Sequence, residues 1–280
     1  MNLSAKIWTL ASNPAMLTAY TRWAAARISG KRPRLSLPGG ASIGEWLSFS
    51  EYWSFQDIMP EPERIFVERS LKNGTAKKTT AFDIGANVGA FTCLMASLGH
   101  TVHSFEPIPE TFCRLKNNVK SNGLLDRVWL NCLAVGKERA LVTFHIEESA
   151  ATNRMALPGE SSLGAASTQL VAATSLDDYC RRQSIDSIDL VKLDVEGMEP
   201  FVLQGANALL KERKIKALLI EICPVNLRAI GLTPADLYRE FEAVRYSPYA
   251  LNKDGVPSAK LSLTEIESMS LANVVLFPDA

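Results

Sequence analysis

Along most of the chain, segments with the apolar pattern of a β-strand alternate with segments whose apolar residues recur at helical spacing. Apolar runs of strand length occur at residues 80–83, 101–105, 127–133, 189–194 and 215–223. Segments with apolar residues at helical spacing lie between or after them, at 88–98, 109–121, 175–182, 197–211 and from 233 onwards. Shorter strands are predicted at 141–146 and 169–173, and a strand pair at 244–251 and 273–277. This order predicts an α/β fold with a doubly wound, mostly parallel sheet and right-handed crossovers.

The carboxyl ends of the predicted strands are the place to look for a ligand. Doubly wound sheets bind ligands beyond the carboxyl ends of their strands, near the switch in strand order. The residues at those ends are Asp83, Glu106, Leu133, Asp194 and Glu221. Four of the five are acidic, so a ligand with several hydrogen-bond donors or a positive charge is indicated.

Residues 1–60 form a separate extension, and residues 61–280 form the main predicted domain. Pro14 can begin a helix that runs to about residue 28, with Leu17, Tyr20 and Ile28 on one side and Arg22 on another. Two interpretations stay open: a cap helix on the main domain, or a basic amphipathic segment that touches a membrane surface or an anionic substrate. The aromatic segment 46–55 is either a core cluster or part of an acceptor pocket.

Composition narrows the function classes. The formal net charge of the 280 residues is zero, so the overall basic field of a nucleic-acid-binding protein is missing and no nucleic-acid partner is expected. The five cysteines are widely spaced and form no Cys-x-x-Cys pair, which indicates free thiols in a reducing, cytoplasmic setting. No run of 18 apolar residues predicts a membrane span. The basic, acid-free start of the chain faintly resembles a transit peptide.

The turn from Gly85 to Gly89 is the strongest local signal. It follows an apolar strand and opens a helix, which exposes backbone N–H groups to a nucleotide-like ligand. A nicotinamide-dinucleotide oxidoreductase is the competing interpretation. However, Asn87 stands where a dinucleotide turn has its second glycine, and Asp83 is poorly suited to lie beside a phosphate. An acid here and Glu106 after the next strand, placed to accept from ribose hydroxyls, favour S-adenosylmethionine.

Four strings resemble the FkbM-type methyltransferases: FDIGANVG from residue 82, FEP from 105, SLDDY from 175 and VKLDVEGME from 191. They occur in the family's order over about residues 79–222. The resemblance implies a class I, Rossmann-like, S-adenosylmethionine-dependent fold of seven strands, the last inserted antiparallel. It also implies an O-methyltransferase that acts on a hydroxyl of a sugar, a glycan or a natural-product small molecule.

The resemblance also implies roles for individual residues. The methionine end of the cofactor would meet the turn made of Asp83, Gly85, Ala86, Asn87 and Gly89. Glu106, followed by Pro107, would hold the ribose. The adenine would lie against the end of the third strand, at Asn131, Leu133 and Ala134.

Transfer to a hydroxyl requires alignment of the acceptor and removal of its proton. The candidate bases are Asp194, Glu196 and Glu221, with His103 and His145 as outsiders. If 194–196 stays extended, Asp194 and Glu196 point the same way and can form a carboxylate pair for a divalent cation. Asp194-Val-Glu-Gly stands where methylators of base amines carry an Asn/Asp-Pro-Pro string, which argues against that chemistry.

Overall fold

In the computed structural model, the structure describes residues 14–46, 48–49, 52, 61–72, 79–146, 154–155 and 167–279. The strands are β1 Leu35–Ser36, β2 Ser42–Ile43, β3 Thr80–Ile84, β4 Thr101–Phe105, β5 Val128–Asn131, β6 Ala134–Val135, β7 Ala140–Ile146, β8 Arg154–Met155, β9 Ser167–Thr174, β10 Leu190–Leu193, β11 Leu218–Ile222, β12 Tyr246–Leu251, β13 Pro257–Lys260 and β14 Ala272–Pro278. The helices are α1 Pro14–Ile28, α2 Glu61–Lys72, α3 Ala90–Ser97, α4 Pro109–Ser121, α5 Leu176–Gln183, α6 Glu199–Gly205, α7 Asn207–Lys211, α8 Pro224–Ala229, α9 Pro234–Val244 and α10 Leu263–Ser268.

The main sheet has eight strands in the order β13-β12-β14-β11-β10-β3-β4-β5. The strands from β11 to β5 are parallel to their neighbours, and β14 is inserted antiparallel between β11 and β12. The predicted doubly wound sheet with an antiparallel last strand is therefore confirmed. Strand β13 adds an eighth, antiparallel edge strand, and a separate four-stranded sheet, β6-β9-β7-β8, lies between β5 and α5 in the chain.

The central strands are buried on both faces. Ala81, Leu190 and Leu219 point into one core cluster, whereas their neighbours Phe82 and Val191 point into another. Because side chains alternate along a strand, both faces of the sheet are covered, as in a helix–sheet–helix sandwich. The uninterrupted apolar runs in the sequence reflect this double burial.

Residues 42–45 of the extension run along α4 one turn at a time. The backbone N–H of Ser42 donates to Asn122 (2.8 Å), and that of Gly44 donates to Asn118 (2.9 Å). Arg114 donates to the carbonyl oxygen of Glu45 (2.6 Å from Nη2). Asn118 also donates to the carbonyl of Val88 (2.9 Å), so the extension is joined to the glycine turn through α4.

The described aromatic residues of segment 46–55 form a cluster. Trp46 and Tyr52 are buried, and their ring centroids are 5.6 Å apart. Phe49 contacts the Tyr20 and Trp23 rings of α1. These contacts fit the core interpretation for Trp46 and Tyr52. The rest of segment 46–55 and most of the loop at 147–168 lie outside the described residues.

Three predicted elements differ clearly from the structure. The strand expected over 215–223 is shorter and covers Leu218–Ile222. The helix expected to reach residue 211 is split into α6 and α7, because Gly205 lies against the carbonyl of Gly136 and a Cβ there would stand 2.0 Å from that oxygen. The strand expected over 127–133 ends at Asn131, whose side chain donates to the carbonyls of Ser104 and Trp129 (3.1 Å each). Leu133 therefore follows the strand instead of ending it.

No helix within the described ranges has the length and apolarity needed to cross a bilayer.

Candidate active site

The turn after β3 is held by the end of β4. The backbone N–H groups of Gly85 and Ala86 both donate to the carbonyl of Phe105, at 3.0 and 2.9 Å. Gly85, Asn87 and Gly89 have positive φ angles of 79°, 50° and 91°. Glycine adopts this region at little cost, and asparagine tolerates it better than most residues. The sequence Gly-x-Asn-x-Gly therefore matches the conformation that this turn requires.

Both glycines also allow a close approach. A Cβ on Gly85 would stand 1.7 Å from the carbonyl oxygen of Asp194, and one on Gly89 would stand 2.4 Å from a methyl carbon of Leu115. The first contact brings the turn against the end of β10. The second lets α4 pack against the start of α3.

Glu106 lies beyond the end of β4 and is 6% exposed. Its Oε2 accepts from the backbone N–H of Asn87 (3.1 Å), and its Oε1 accepts from that of Ile108 (3.0 Å). Burial raises the pKa of Glu106 to about 7 although these two hydrogen bonds lower it. The structure thus places Glu106 beside the glycine turn, and each carboxylate oxygen keeps a lone pair for a further donor.

Asp83 is buried at the base of the turn. Its Oδ2 accepts from the Thr92 hydroxyl (2.5 Å), while its Oδ1 is buried and has no hydrogen-bond partner among the described residues. Burial raises the pKa of Asp83, against the opposing effects of the Lys192 ammonium and the Thr92 hydrogen bond. An unpaired buried oxygen is costly, so this atom is suited to a donor supplied by a ligand.

Lys192 connects the glycine turn to the opposite rim of the site, which consists of Asp194, Glu196 and Glu221. It is paired with Asp83 in the register of β10 and β3, and its Nζ donates to Oδ2 of Asp194 (2.6 Å). The same Nζ lies 5.3 Å from the centre of the Phe91 ring. Burial lowers the pKa of Lys192, but the carboxylates of Asp194 and Asp83 outweigh burial and the net direction is upward. Lys192 is therefore a buried cation shared by two carboxylates.

Three further acids gather at the ends of β10 and β11. Burial, reinforced by the charges of Asp194 and Glu221, raises the pKa of Glu196 to about 8. Burial and the charge of Asp194 also raise the pKa of Glu221. Glu199 is buried and accepts from the backbone N–H groups of Val195 (3.1 Å) and Gly197 (3.3 Å). Burial also raises the pKa of Glu199 to about 7. Glu199 is nevertheless engaged with the loop backbone, whereas no backbone N–H is seen to hold Glu196 or Glu221 in the described residues.

The expected carboxylate pair does not form as the extended-chain argument required. Glu196 has a positive φ of 55°, so 194–196 is not extended. Oδ2 of Asp194 is held by Lys192, and Oε2 of Glu196 accepts from the Asn226 side chain (2.5 Å). Within the described ranges, no group of three or more His, Cys, Asp or Glu side chains is arranged to hold a metal ion. The carboxylates of Asp194 and Glu196 therefore do not fit a divalent-cation site in this conformation.

The residues expected at the adenine lie at the turn from β5 to β6. Asn131 ends β5, Leu133 is partly buried, and Ala134 begins β6, which is parallel to β9. Pro107 stands beside them, since its carbonyl accepts from the Cys132 thiol (3.8 Å). The structure therefore places these residues next to Glu106 at the same edge of the sheet.

His103 and His145, the two less favoured candidate bases, are buried and do not belong to this group of carboxylates. His103 shares a hydrogen bond with Tyr179 (2.8 Å) and stacks on Phe82, and burial lowers its pKa to about 4. His145 lies on β7 in the second sheet. His103 is therefore neutral and structural, in a core below the ends of the strands.

Comparison with known proteins decides the family. The model of the methyltransferase FkbM domain matches residues 83–248, more than half of the chain. The chain belongs to the FkbM methyltransferase family. It is thus an S-adenosylmethionine-dependent methyltransferase, which favours S-adenosylmethionine over the dinucleotide alternative.

Relatives of this FkbM-family protein include two curated methyltransferases. One is a hexuronic acid methyltransferase from Haloferax volcanii, 26% identical over 74% of this chain and 79% of its own length. Another is a 31-O-demethyl-FK506 methyltransferase from Streptomyces tacrolimicus, 28% identical over 62% of this chain and 75% of its own. A solved METTL16 methyltransferase domain is 12% identical with a TM-score of 0.50, covering 95% of this chain and 92% of that one. That likeness shows the class I methyltransferase fold alone.

Three residues that contact the candidate carboxylates were missed by sequence reasoning: Lys192, Thr92 and Asn226. Lys192 had a visible signal, because it is a single cation inside the apolar strand LVKL. Thr92 and Asn226 had none, since each lies in a helix and reaches its carboxylate only through the fold.

Proposed function

We propose that this methyltransferase transfers a methyl group from S-adenosylmethionine to a hydroxyl of a sugar, a glycan or a natural-product small molecule. The observation that carries the proposal is the group of carboxyls at the ends of β10 and β11, of which Glu196 and Glu221 have pKa values raised towards neutrality. A general base works best when its pKa lies near the working pH. The two curated relatives support an oxygen acceptor of this class.

The cofactor residues fit S-adenosylmethionine on chemical grounds. The buried, unpaired Oδ1 of Asp83 is suited to an ammonium, and the two oxygens of Glu106 are suited to a pair of ribose hydroxyls. The turn from Gly85 to Gly89 connects them, since it follows Asp83 in the chain and its Asn87 N–H donates to Glu106. Asn131, Leu133 and Ala134 would border the adenine. When bound, S-adenosylmethionine supplies an electrophilic methyl group on a sulfonium.

The residues of the opposite rim handle the acceptor proton. Either Glu196 or Glu221 would accept the one proton that the acceptor hydroxyl loses. The Asp194 carboxylate contacts the buried Lys192 ammonium (2.6 Å). Burial, reinforced by the negative charge of Asp194, raises the pKa of Glu196 and of Glu221, so each carboxyl becomes able to accept a proton as pH approaches its raised pKa.

A methyl-transfer assay tests the proposal. S-adenosylmethionine with a labelled methyl group is incubated with the full chain and a panel of uronic acids, neutral glycosides, macrolide alcohols and amines. Transfer to hydroxyl acceptors is expected, with a rate that rises with pH towards about 8 and falls about 100-fold or more in Glu196→Gln or Glu221→Gln. Exclusive transfer to amines or carboxylates would overturn the proposal.

A further inference from the structure

A groove between α1 and the β1 strand is not used by the methyl-transfer site. Its volume is about 710 Å³, and its walls are basic and small: Thr18, Ala19, Arg22 and Ala26 on α1, and residues 31–36 below, closed by Tyr52. Four of the lining residues are cations, namely Arg22, Lys31, Arg32 and Arg34, and none of the lining residues that the structure describes is acidic.

Only part of this charge is matched by the protein. Arg32 pairs with Glu45, and Arg34 donates to Ser42 and to the Ser121 hydroxyl (3.1 Å). Arg22 and Lys31 have no acidic partner in the described parts of the chain, and both are exposed. A concave site lined by one sign of charge concentrates counter-ions. Two cations of the groove, Arg22 and Lys31, thus have no acidic partner among the described residues. The other two, Arg32 and Arg34, are held in place by other side chains.

The position of the groove separates it from the cofactor edge. Arg34 contacts Ser121 at the last turn of α4, whereas Glu106 precedes the first turn of that helix. The 13 residues of α4 span about 20 Å at 1.5 Å per residue. An anion in the groove would thus lie at the other end of α4 from the ribose carboxylate.

The groove lies along one side of α1, on which Thr18 and Arg22 are exposed. Thr18, Arg22 and Ala26 repeat every four residues and share one side of the helix. Leu17, Tyr20 and Ile28, which are 46%, 38% and 88% exposed, fall on the opposite side. A flat membrane cannot contact opposite sides of one helix at once. The charge of the concave groove therefore suits a small, multiply charged anion better than a lipid surface.

We propose that this groove is a second binding site, which takes the phosphate or diphosphate group of a small molecule. Guanidinium groups bind phosphate oxygens through paired N–H donors, and an ammonium adds a compact charge. Arg34 is oriented by its contacts with Ser42, and Arg22 and Lys31 supply the unmatched charge. The inference does not depend on which acceptor the enzyme methylates.

Calorimetric titration of the full chain with inorganic pyrophosphate tests this site. One saturable site is expected in the wild type, and about tenfold or greater loss of affinity in the double variant Arg22→Gln, Lys31→Gln. The matched control is Arg69→Gln, Lys253→Gln, which removes one exposed arginine and one exposed lysine outside the groove and should bind as the wild type does. Unchanged S-adenosylmethionine affinity in both variants shows that they are folded.

Equal titrations in the groove variant and its control would overturn the proposal, as would the absence of saturable binding. A second arm uses sedimentation with vesicles of phosphatidylglycerol. Binding to those vesicles that needs Arg22 and Lys31 while pyrophosphate does not bind would identify a membrane contact and also overturn it. Pyrophosphate binding without vesicle binding is the expected pair of results.

Discussion

Gly85 lies directly against the main chain of Asp194. A Cβ built on Gly85 would stand 1.7 Å from the Asp194 carbonyl oxygen, well inside van der Waals contact. The glycine turn and the opposite rim therefore share one backbone contact, although Gly85 and Asp194 are 109 positions apart in the chain. This contact explains why a glycine is needed here beyond its positive φ of 79°.

The variant Gly85→Ala should be destabilised by about 3 kcal/mol, since overpacking against backbone adds to the cost of a left-handed conformation. Gly123→Ala is the matched control, because Gly123 also has a positive φ (68°) but nothing lies within 4 Å of its Cβ position. That control should lose only about 1 kcal/mol. Urea unfolding of both variants measures the difference, and equal losses would contradict a steric role for Asp194.

Lys192→Met should destabilise the protein by about 3 kcal/mol, because the carboxylates of Asp83 and Asp194 lose the buried cation between them. The control is Lys216→Met. Its ion pair with Asp189 involves a lysine side chain that is 66% exposed, so its loss should cost at most about 1 kcal/mol. Thermal or denaturant unfolding compares the two, and a Lys192→Met protein as stable as the control would show that the buried cation is dispensable.

Glu196 should make the stability of the ligand-free protein depend on pH. Its folded pKa, about 8, is above the ordinary value of 4.5, so the folded state keeps a proton that the unfolded state has lost. Its contribution is fully present below about pH 4.5 and is lost as pH rises through 8. Glu196→Gln keeps the neutral form at all pH values and should gain about 1–2 kcal/mol at pH 8.5 but little at pH 5.

Denaturant titrations of wild type and Glu196→Gln at the two pH values measure that gain. Glu267→Gln, at an exposed position on α10, is the control and should shift stability equally at both. A Glu196→Gln gain that is the same at pH 5 and pH 8.5 would show that Glu196 ionises normally in the folded protein.

Much of the fold could be predicted because each strand carries its own signal. Runs such as LVKL at β10 and LLIEI at β11 are apolar on both faces, and the helices between them begin at residues with clear roles, such as Pro109 and Thr233. The ends of α6 and β5 were less predictable. They are set by contacts between distant segments, such as Gly205 with Gly136, which leave no local trace.

The candidate site shows the same division. Asp83, Glu106 and Glu221 could be selected because each lies at the carboxyl end of an apolar strand: Glu106 follows its strand, and the other two are the next-to-last residues of theirs. The conformation at Glu196 could not, since neither its left-handed φ nor the approach of the next residue, Gly197, to the backbone of Asn226 on α8 leaves a signal in the local sequence. The extended chain that the carboxylate pair required is therefore not observed, and metal binding stays a prediction. The domain boundary at residue 60 and the roles assigned to individual cofactor residues stay predictions.

Glu106 gives the most direct test of the central claim, that S-adenosylmethionine is held between the glycine turn and the end of β4. Calorimetric titration with S-adenosylmethionine compares the wild type, Glu106→Gln and the control Glu110→Gln, which alters an exposed acid in the first turn of α4. Unfolding midpoints of the three proteins check that each is folded. The predicted result is that Glu106→Gln binds S-adenosylmethionine with an affinity lower by about tenfold or more, while the affinity of the control is unchanged. Equal affinity in all three folded proteins would contradict the account.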